Sequence, residues 1–199
     1  AVSWLHCNGV VHRDLKLENC VLHHNLQLKV IDLGFASFFS ESTWFDSFCG
    51  SPDFAAPELY LRQKYRGPPV DIWAMGVVLY CMLTGYVPFN SPSHLVKGQY
   101  GFPQSVSLSS SVLSVFSSVF RVAPAERIAM SELRSHAWVA LPEREEGEQE
   151  ALDEQLVSRV ADVMGSDTAL VRSCLQGPNP CNSVAACYRL MKQRADHEQ

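Results

Sequence analysis

Apolar residues along the chain fall into runs of distinct period. Val2 and Leu5, then Val10 and Val11, bracket Asn8-Gly9, which predicts a short helix ending where Gly9 can take a positive φ. Cys20-Val21-Leu22 and Leu26-Gln27-Leu28-Lys29-Val30-Ile31 flank His23-His24-Asn25, the pattern of a β-hairpin. No period is sustained from 35 to 48, as expected of a mobile segment. Ile72 to Leu83, preceded by Asp71 and interrupted by Gly76, is apolar on nearly every face. It predicts a helix buried all round, too short to cross a bilayer. Ser107 to Phe120 is serine-rich yet keeps Leu108, Val112, Val115, Phe116 and Val119 near one helical stripe, and Ile128 to Trp138 supplies the last helices of this part.

A charged break over 141–150 sets a boundary. Beyond it Leu152, Leu156, Val160 and Val163 recur at helical spacing, a second helix is expected over Asp167 to Leu175 with Ser166 as its cap, and a third over Ser183 to Lys192. The expectation is a mainly α chain: a helical lobe with short β-hairpins over 1–140, a linker over 141–150, a three-helix module over 151–193 and a tail over 194–199.

Composition narrows the classes of partner. A net charge of -5 and a pI near 5.8 give no field to gather nucleic acid or anionic lipid, so neither nucleic-acid binding nor membrane insertion is expected. The seven cysteines are odd in number, scattered and without a C-x-x-C pair, which suits a reducing compartment and a cytoplasmic place, with the nucleus also open. His6, Cys7 and His12 lie close in sequence, as do His23 and His24, but no second ligand pair stands at finger spacing and no zinc site is expected.

The candidate chemistry is concentrated in Val11-His12-Arg13-Asp14-Leu15-Lys16-Leu17-Glu18-Asn19 and Ile31-Asp32-Leu33-Gly34. Moving a phosphoryl group to a hydroxyl needs a carboxylate near the acceptor, a cation on the moving phosphate and oxygen ligands for Mg²⁺. Asp14 is the candidate base or hydroxyl-orienting group, and Lys16 can reach the phosphate as a point charge. Asn19 and Asp32 supply the metal oxygens. A third block, Gly50-Ser51-Pro52-Asp53-Phe54-Ala55-Ala56-Pro57-Glu58, follows in register.

With these three blocks the chain resembles the C-terminal lobe of a eukaryotic protein kinase. Phe45-Asp46-Ser47-Phe48-Cys49-Gly50-Ser51-Pro52 is very similar to the activation loop of the AMP-activated-kinase-related family, especially the microtubule-affinity-regulating kinases and the Nim-one branch. The resemblance implies an ATP- and Mg²⁺-dependent serine/threonine kinase acting on protein Ser/Thr hydroxyls, with Lys16 the mark of that substrate class. It implies phosphorylation of Ser47 by an upstream activating kinase, with Arg13 receiving the phosphate. Ser51 and Glu18 would seat the substrate, Glu18 favouring basic peptides.

Structural roles also follow from the resemblance. Glu58 would pair with Arg127, Asp71 would bond the backbone of the catalytic loop, and Gly34 and the His12 region would support the metal-binding turn. Leu33 replaces the family's phenylalanine and would fill the same apolar slot. The segment 90–102 is shorter than in relatives by roughly one or two helical turns. The last three helices resemble a ubiquitin-associated-like module, but Ser166 stands where an aromatic would follow Met164-Gly165, and ubiquitin binding is not expected. No glycine-rich loop, strand lysine or helix glutamate precedes Ala1, so the chain is expected to be N-terminally truncated and inactive alone. The alternative is a non-catalytic kinase-like binding or regulatory module.

Overall fold

The computed structural model describes residues 1–23, 28–140 and 152–176, together with 184, 187, 188, 191 and 192. Its elements run α1 (Val2–Cys7), β1 (Val10–Val11), β2 (Cys20–Leu22), β3 (Leu28–Val30), β4 (Ser37–Phe38), α2 (Pro57–Tyr60), α3 (Gly67–Thr84), α4 (Pro92–Lys97), α5 (Ser110–Val119), α6 (Met130–Ser135), α7 (Glu154–Met164) and α8 (Thr168–Gln176). The fold is mainly α. The chain divides into two compact units, one of Ala1–Val21, Val30–Val106 and Ser110–Ala140, the other of Leu22–Lys29, Ser107–Ser109 and Leu141–Gln199.

The first unit is built on α3. Pro68 and Pro69 occupy its first turn, where a missing N–H costs nothing, and Gly85 ends it at φ 79° with its N–H on the Cys81 carbonyl at 2.8 Å. At 18 residues the helix is longer than the apolar run that predicts it, and by length and composition it could cross a bilayer, which corrects the expectation that it is too short. Two thirds of it is buried inside the protein, the condition of a core helix. Trp73 and Val77 are fully buried, each stabilising the fold by roughly 1.5–3 kcal/mol. Trp73 stacks on Phe89 with centroids 5.1 Å apart and meets Phe120 at the same distance.

Gly76 is what lets α5 lie so close. A Cβ there would come within 2.4 Å of Val119 Cγ1. The amphipathic stripe of α5 buries Val112, Val115, Phe116 and Val119 as its spacing predicts. After α4, Tyr100 and Phe102 enter the same aromatic cluster, Tyr100 lying 4.9 Å from Phe120 and Phe102 5.4 Å from Phe116.

The strands are short. β2 pairs with β3 as the alternating runs predict, the turn residues 24–27 lying outside the described residues. β1 pairs antiparallel with β4, Val10 opposite Phe38 and Val11 opposite Ser37. This pair is not legible in the aperiodic 35–48 stretch, because two residues leave no alternation to read.

The second unit has its own core of Leu156, Val157, Val160, Ala161, Val171, Leu175, Val184 and Tyr188. Asp153 caps α7 by accepting from the N–H groups of Gln155 and Leu156, and its own N–H donates to the Tyr188 hydroxyl at 2.8 Å. Two expectations are corrected. Val163 is 67% exposed, and Val157 and Ala161 take its place in the stripe because α8 packs toward their side. The cap of α8 is Asp167, whose carboxylate accepts the Ala169 N–H at 3.1 Å, while the Ser166 hydroxyl turns back to the Met164 carbonyl. Of the expected third helix, Val184, Cys187, Tyr188, Met191 and Lys192 are helical and the rest lies outside the described residues.

Candidate active site

The loop after β1 is held from beneath by α3. Asp71, fully buried, accepts the His12 N–H on one carboxylate oxygen at 2.9 Å and the Arg13 N–H on the other at 2.8 Å. Arg13 sits at φ 67°, a left-handed conformation that a long side chain adopts only when its surroundings impose it. His12 links the two motifs. Its Nδ1 accepts the Asp14 N–H at 3.3 Å, so Nε2 carries the proton and donates to the Ile31 carbonyl at 3.2 Å.

Asp14, only 4% exposed, is ringed by donors. Its Oδ1 accepts the Ser51 N–H at 2.8 Å and the Ser51 hydroxyl at 2.9 Å. Its Oδ2 accepts from Lys16 Nζ at 2.8 Å and, weakly, from Asn19 Nδ2 at 3.4 Å. Lys16 Nζ also reaches the Ser51 hydroxyl at 3.1 Å. Burial pushes the Asp14 carboxyl up, but the hydrogen bonds from Lys16 and from Ser51 outweigh it and hold it below its ordinary value of 3.8. The same bond to Asp14 raises Lys16.

A pKa lowered by folding stabilises the native state above the unfolded value, and that stabilisation is lost only as pH falls through the lowered one. The Asp14 carboxyl ¹³C resonance is therefore expected to titrate with a midpoint below 3.8. A midpoint at or above that value contradicts the donor ring.

The metal-ligand candidates lie next to each other on the backbone. The Ile31 N–H donates to the Asn19 carbonyl at 2.9 Å, so Asp32 directly follows the residue bonded to Asn19. Asn19 is buried and its Nδ2 donates to the Asp14 carbonyl at 2.8 Å, which turns the amide oxygen the other way. Asp32 is exposed at φ 63°, and the Gly34 N–H steadies one of its oxygens at 3.0 Å, the distance at which a Cβ on Gly34 would already crowd that oxygen. Leu33 departs from expectation: it is 55% exposed and fills no apolar slot, because no described side chain closes over it.

The segment from Phe35 to Glu58 brings the remaining residues in. Gly50, at φ 91°, lets the chain pass the loop after β1 so closely that a Cβ would stand 2.4 Å from the Arg13 carbonyl oxygen. That contact places Ser51 on Asp14. Arg13 extends along the segment, Nε donating to the Phe35 carbonyl at 2.7 Å and Nη1 to the exposed Ser47 hydroxyl at 3.0 Å. Glu58 and Arg127, both buried, form a two-toothed pair at 2.8 and 3.1 Å. Glu18 is exposed on the loop that follows Lys16.

Residues 1–139 match the family described as protein kinase domain. The chain belongs to the protein kinase family. Among similar proteins are "Probable serine/threonine-protein kinase MARK-A" of Dictyostelium discoideum, 40% identical over 146 residues and 70% of this chain, and "Serine/threonine-protein kinase SIK3 homolog" of Danio rerio, 38% identical over 145 residues and 70% of this chain. "Serine/threonine-protein kinase SIK1" of Mus musculus is 31% identical over 215 residues and 99% of this chain. The chain spans 14%, 12% and 27% of the length of these three relatives.

Two residues of this kinase chain escape a reading of its sequence. His6 Nε2 bonds Asp71 Oδ2 at 2.8 Å and tightens the grip of α3 on the loop after β1. Tyr65 enters the Arg13 pocket from just before α3. Both partners lie far along the chain, and no local period or spacing signals either contact.

Proposed function

We propose that the protein carrying this chain transfers the γ-phosphoryl group of ATP to serine and threonine hydroxyls of protein substrates. The observation that supports it most is the convergence on Asp14, with Ser51 filling one carboxylate oxygen and Lys16 bound to the other. Asp14 orients the acceptor hydroxyl. It takes the proton as the oxygen bonds to phosphorus and the bond to the β-phosphate oxygen breaks, with ADP leaving. A carboxyl held below its ordinary pKa is a weak base, so the proton moves late, as a loose transition state permits.

Lys16 meets the charge of the transferred group, and its place two residues after the acid supports serine and threonine acceptors. Asn19 and Asp32 would hold Mg²⁺, an amide and a carboxylate oxygen being the hard ligands that ion takes. When bound, it neutralises phosphate charge. Glu18 supports a preference for basic peptides.

Ser47 is the proposed site of activation by an upstream kinase, supported by its exposure and its bond from Arg13. The tail is proposed as a ubiquitin-associated-like module, supported by its separate core. A cytoplasmic place is supported by the free thiols of the six described cysteines.

The test is transfer from γ-labelled ATP, with Mg²⁺, by the whole protein to peptides on one basic frame carrying serine, threonine or tyrosine. Label on serine and threonine but not tyrosine is expected. Label on tyrosine alone, or transfer that survives chelation of Mg²⁺, overturns the reading.

A further inference from the structure

The pocket around Arg13 holds a group that the proposed reaction does not use. Tyr65 is 3% exposed, and its backbone pairs with Phe45 in both directions at 2.9 Å. Its ring stacks on Phe45 with centroids 5.5 Å apart, and the Arg13 guanidinium lies 4.9 Å over that same Phe45 ring. The ring is thus fixed by its backbone pairing and by the Phe45 stack, which Arg13 covers in turn, and its hydroxyl is aimed. It donates to the Ser47 carbonyl at 3.0 Å and accepts from Arg13 Nη1 at 3.4 Å, the nitrogen that also reaches Ser47 Oγ. Arg13 Nη1 therefore stands at the exposed serine hydroxyl, and the Tyr65 hydroxyl stands at the carbonyl of the same residue, with the Cys49 thiol as a further neighbour.

We propose that Tyr65 is a positioning residue of an anion pocket: once Ser47 carries a phosphate, the Tyr65 hydroxyl turns from the Ser47 carbonyl to a phosphate oxygen and shares the dianion with the Arg13 guanidinium. The inference rests on the reading of Ser47 as the modified residue. Its phosphate comes from ATP through an upstream kinase, Ser47 Oγ losing its proton as it bonds the γ-phosphorus and ADP leaves. Burial pushes the Tyr65 hydroxyl above its ordinary range, so it stays a donor wherever the phosphate titrates.

The test is a ³¹P titration of this chain carrying phosphoserine at 47. The wild type is expected to titrate roughly one pH unit below the value near 6 of an exposed phosphoserine. Tyr65→Phe keeps the stacked ring and removes only the hydroxyl, and it should recover roughly a third to a half of that shift, whereas Arg13→Ala should recover most of it. If Tyr65→Phe titrates with the wild type while Arg13→Ala moves to about 6, the Tyr65 assignment is overturned and Arg13 as phosphate partner stands. If the wild type already titrates like an exposed phosphoserine, both fall. Should Tyr65→Phe fail to fold, a fluorotyrosine placed at 65, more acidic and so a stronger donor, is expected to lower the midpoint further, and an unmoved midpoint overturns the assignment.

Discussion

Replacing Asp14 with asparagine is expected to lower peptide phosphorylation by the whole protein by roughly 10²–10⁴-fold, the usual worth of a positioned acid–base group. The volume hardly changes, so the effect is chemical. Every group around the carboxylate is a donor: the Ser51 N–H and hydroxyl on one oxygen, Lys16 and Asn19 on the other. An asparagine brings an NH₂ that must face one of these sets, so either the Ser51 seat or the Lys16 contact is lost along with the proton acceptor. The measurement is kcat on a serine peptide beside the KM for ATP. A fall in kcat at unchanged KM for ATP is the expected split, because Asp14 acts on the acceptor hydroxyl and not on the nucleotide. Equal turnover in the variant would refute the role.

Why the site could be read from the chain and other parts could not is a matter of where each constraint lies. Asp14, Lys16 and Asn19 fall within six residues because the proposed transfer asks one loop to present an acid, a cation and a metal oxygen together, and the hairpin that brings Asp32 beside Asn19 is itself written in alternating residues. Asp71 and Arg127 were reachable only through resemblance, since each acts 55 or more residues from its partner along the chain. His6 and Tyr65 carried no such prompt. A histidine among cysteines suggests a metal before it suggests a bond to a helix 65 residues away. The exposure of Leu33 follows from what covers it, which no local pattern encodes, and the misplacement of Val163 shows the limit of a stripe with apolar residues on two adjacent registers.

The largest expected loss of stability comes from the Glu58–Arg127 pair, and the two halves should not cost the same. Arg127 does more than neutralise Glu58. Its Nη1 donates to the Pro69 carbonyl at 2.7 Å, its Nε and Nη2 to the Arg121 carbonyl at 3.1 and 3.0 Å, and its guanidinium lies 4.9 Å over the Trp73 ring. Arg127→Met leaves a buried carboxylate and these carbonyls together and is expected to cost about 3–5 kcal/mol. Glu58→Gln leaves the guanidinium with its other acceptors and should cost less. Glu58→Leu with Arg127→Met removes both charges, and equilibrium denaturation should show it more stable than Arg127→Met alone. Single variants costing under about 1 kcal/mol would show the pair to be poorly desolvated and overturn the account. The consequence reaches the chemistry: Glu58 lies in the first turn of α2, seven residues after Ser51, so a released Glu58 loosens the segment whose hydroxyl and N–H fill Asp14 Oδ1. Arg127→Met should therefore lose kcat at temperatures where the fold still holds, and a variant with native kcat below its melting range would confine the pair to stability.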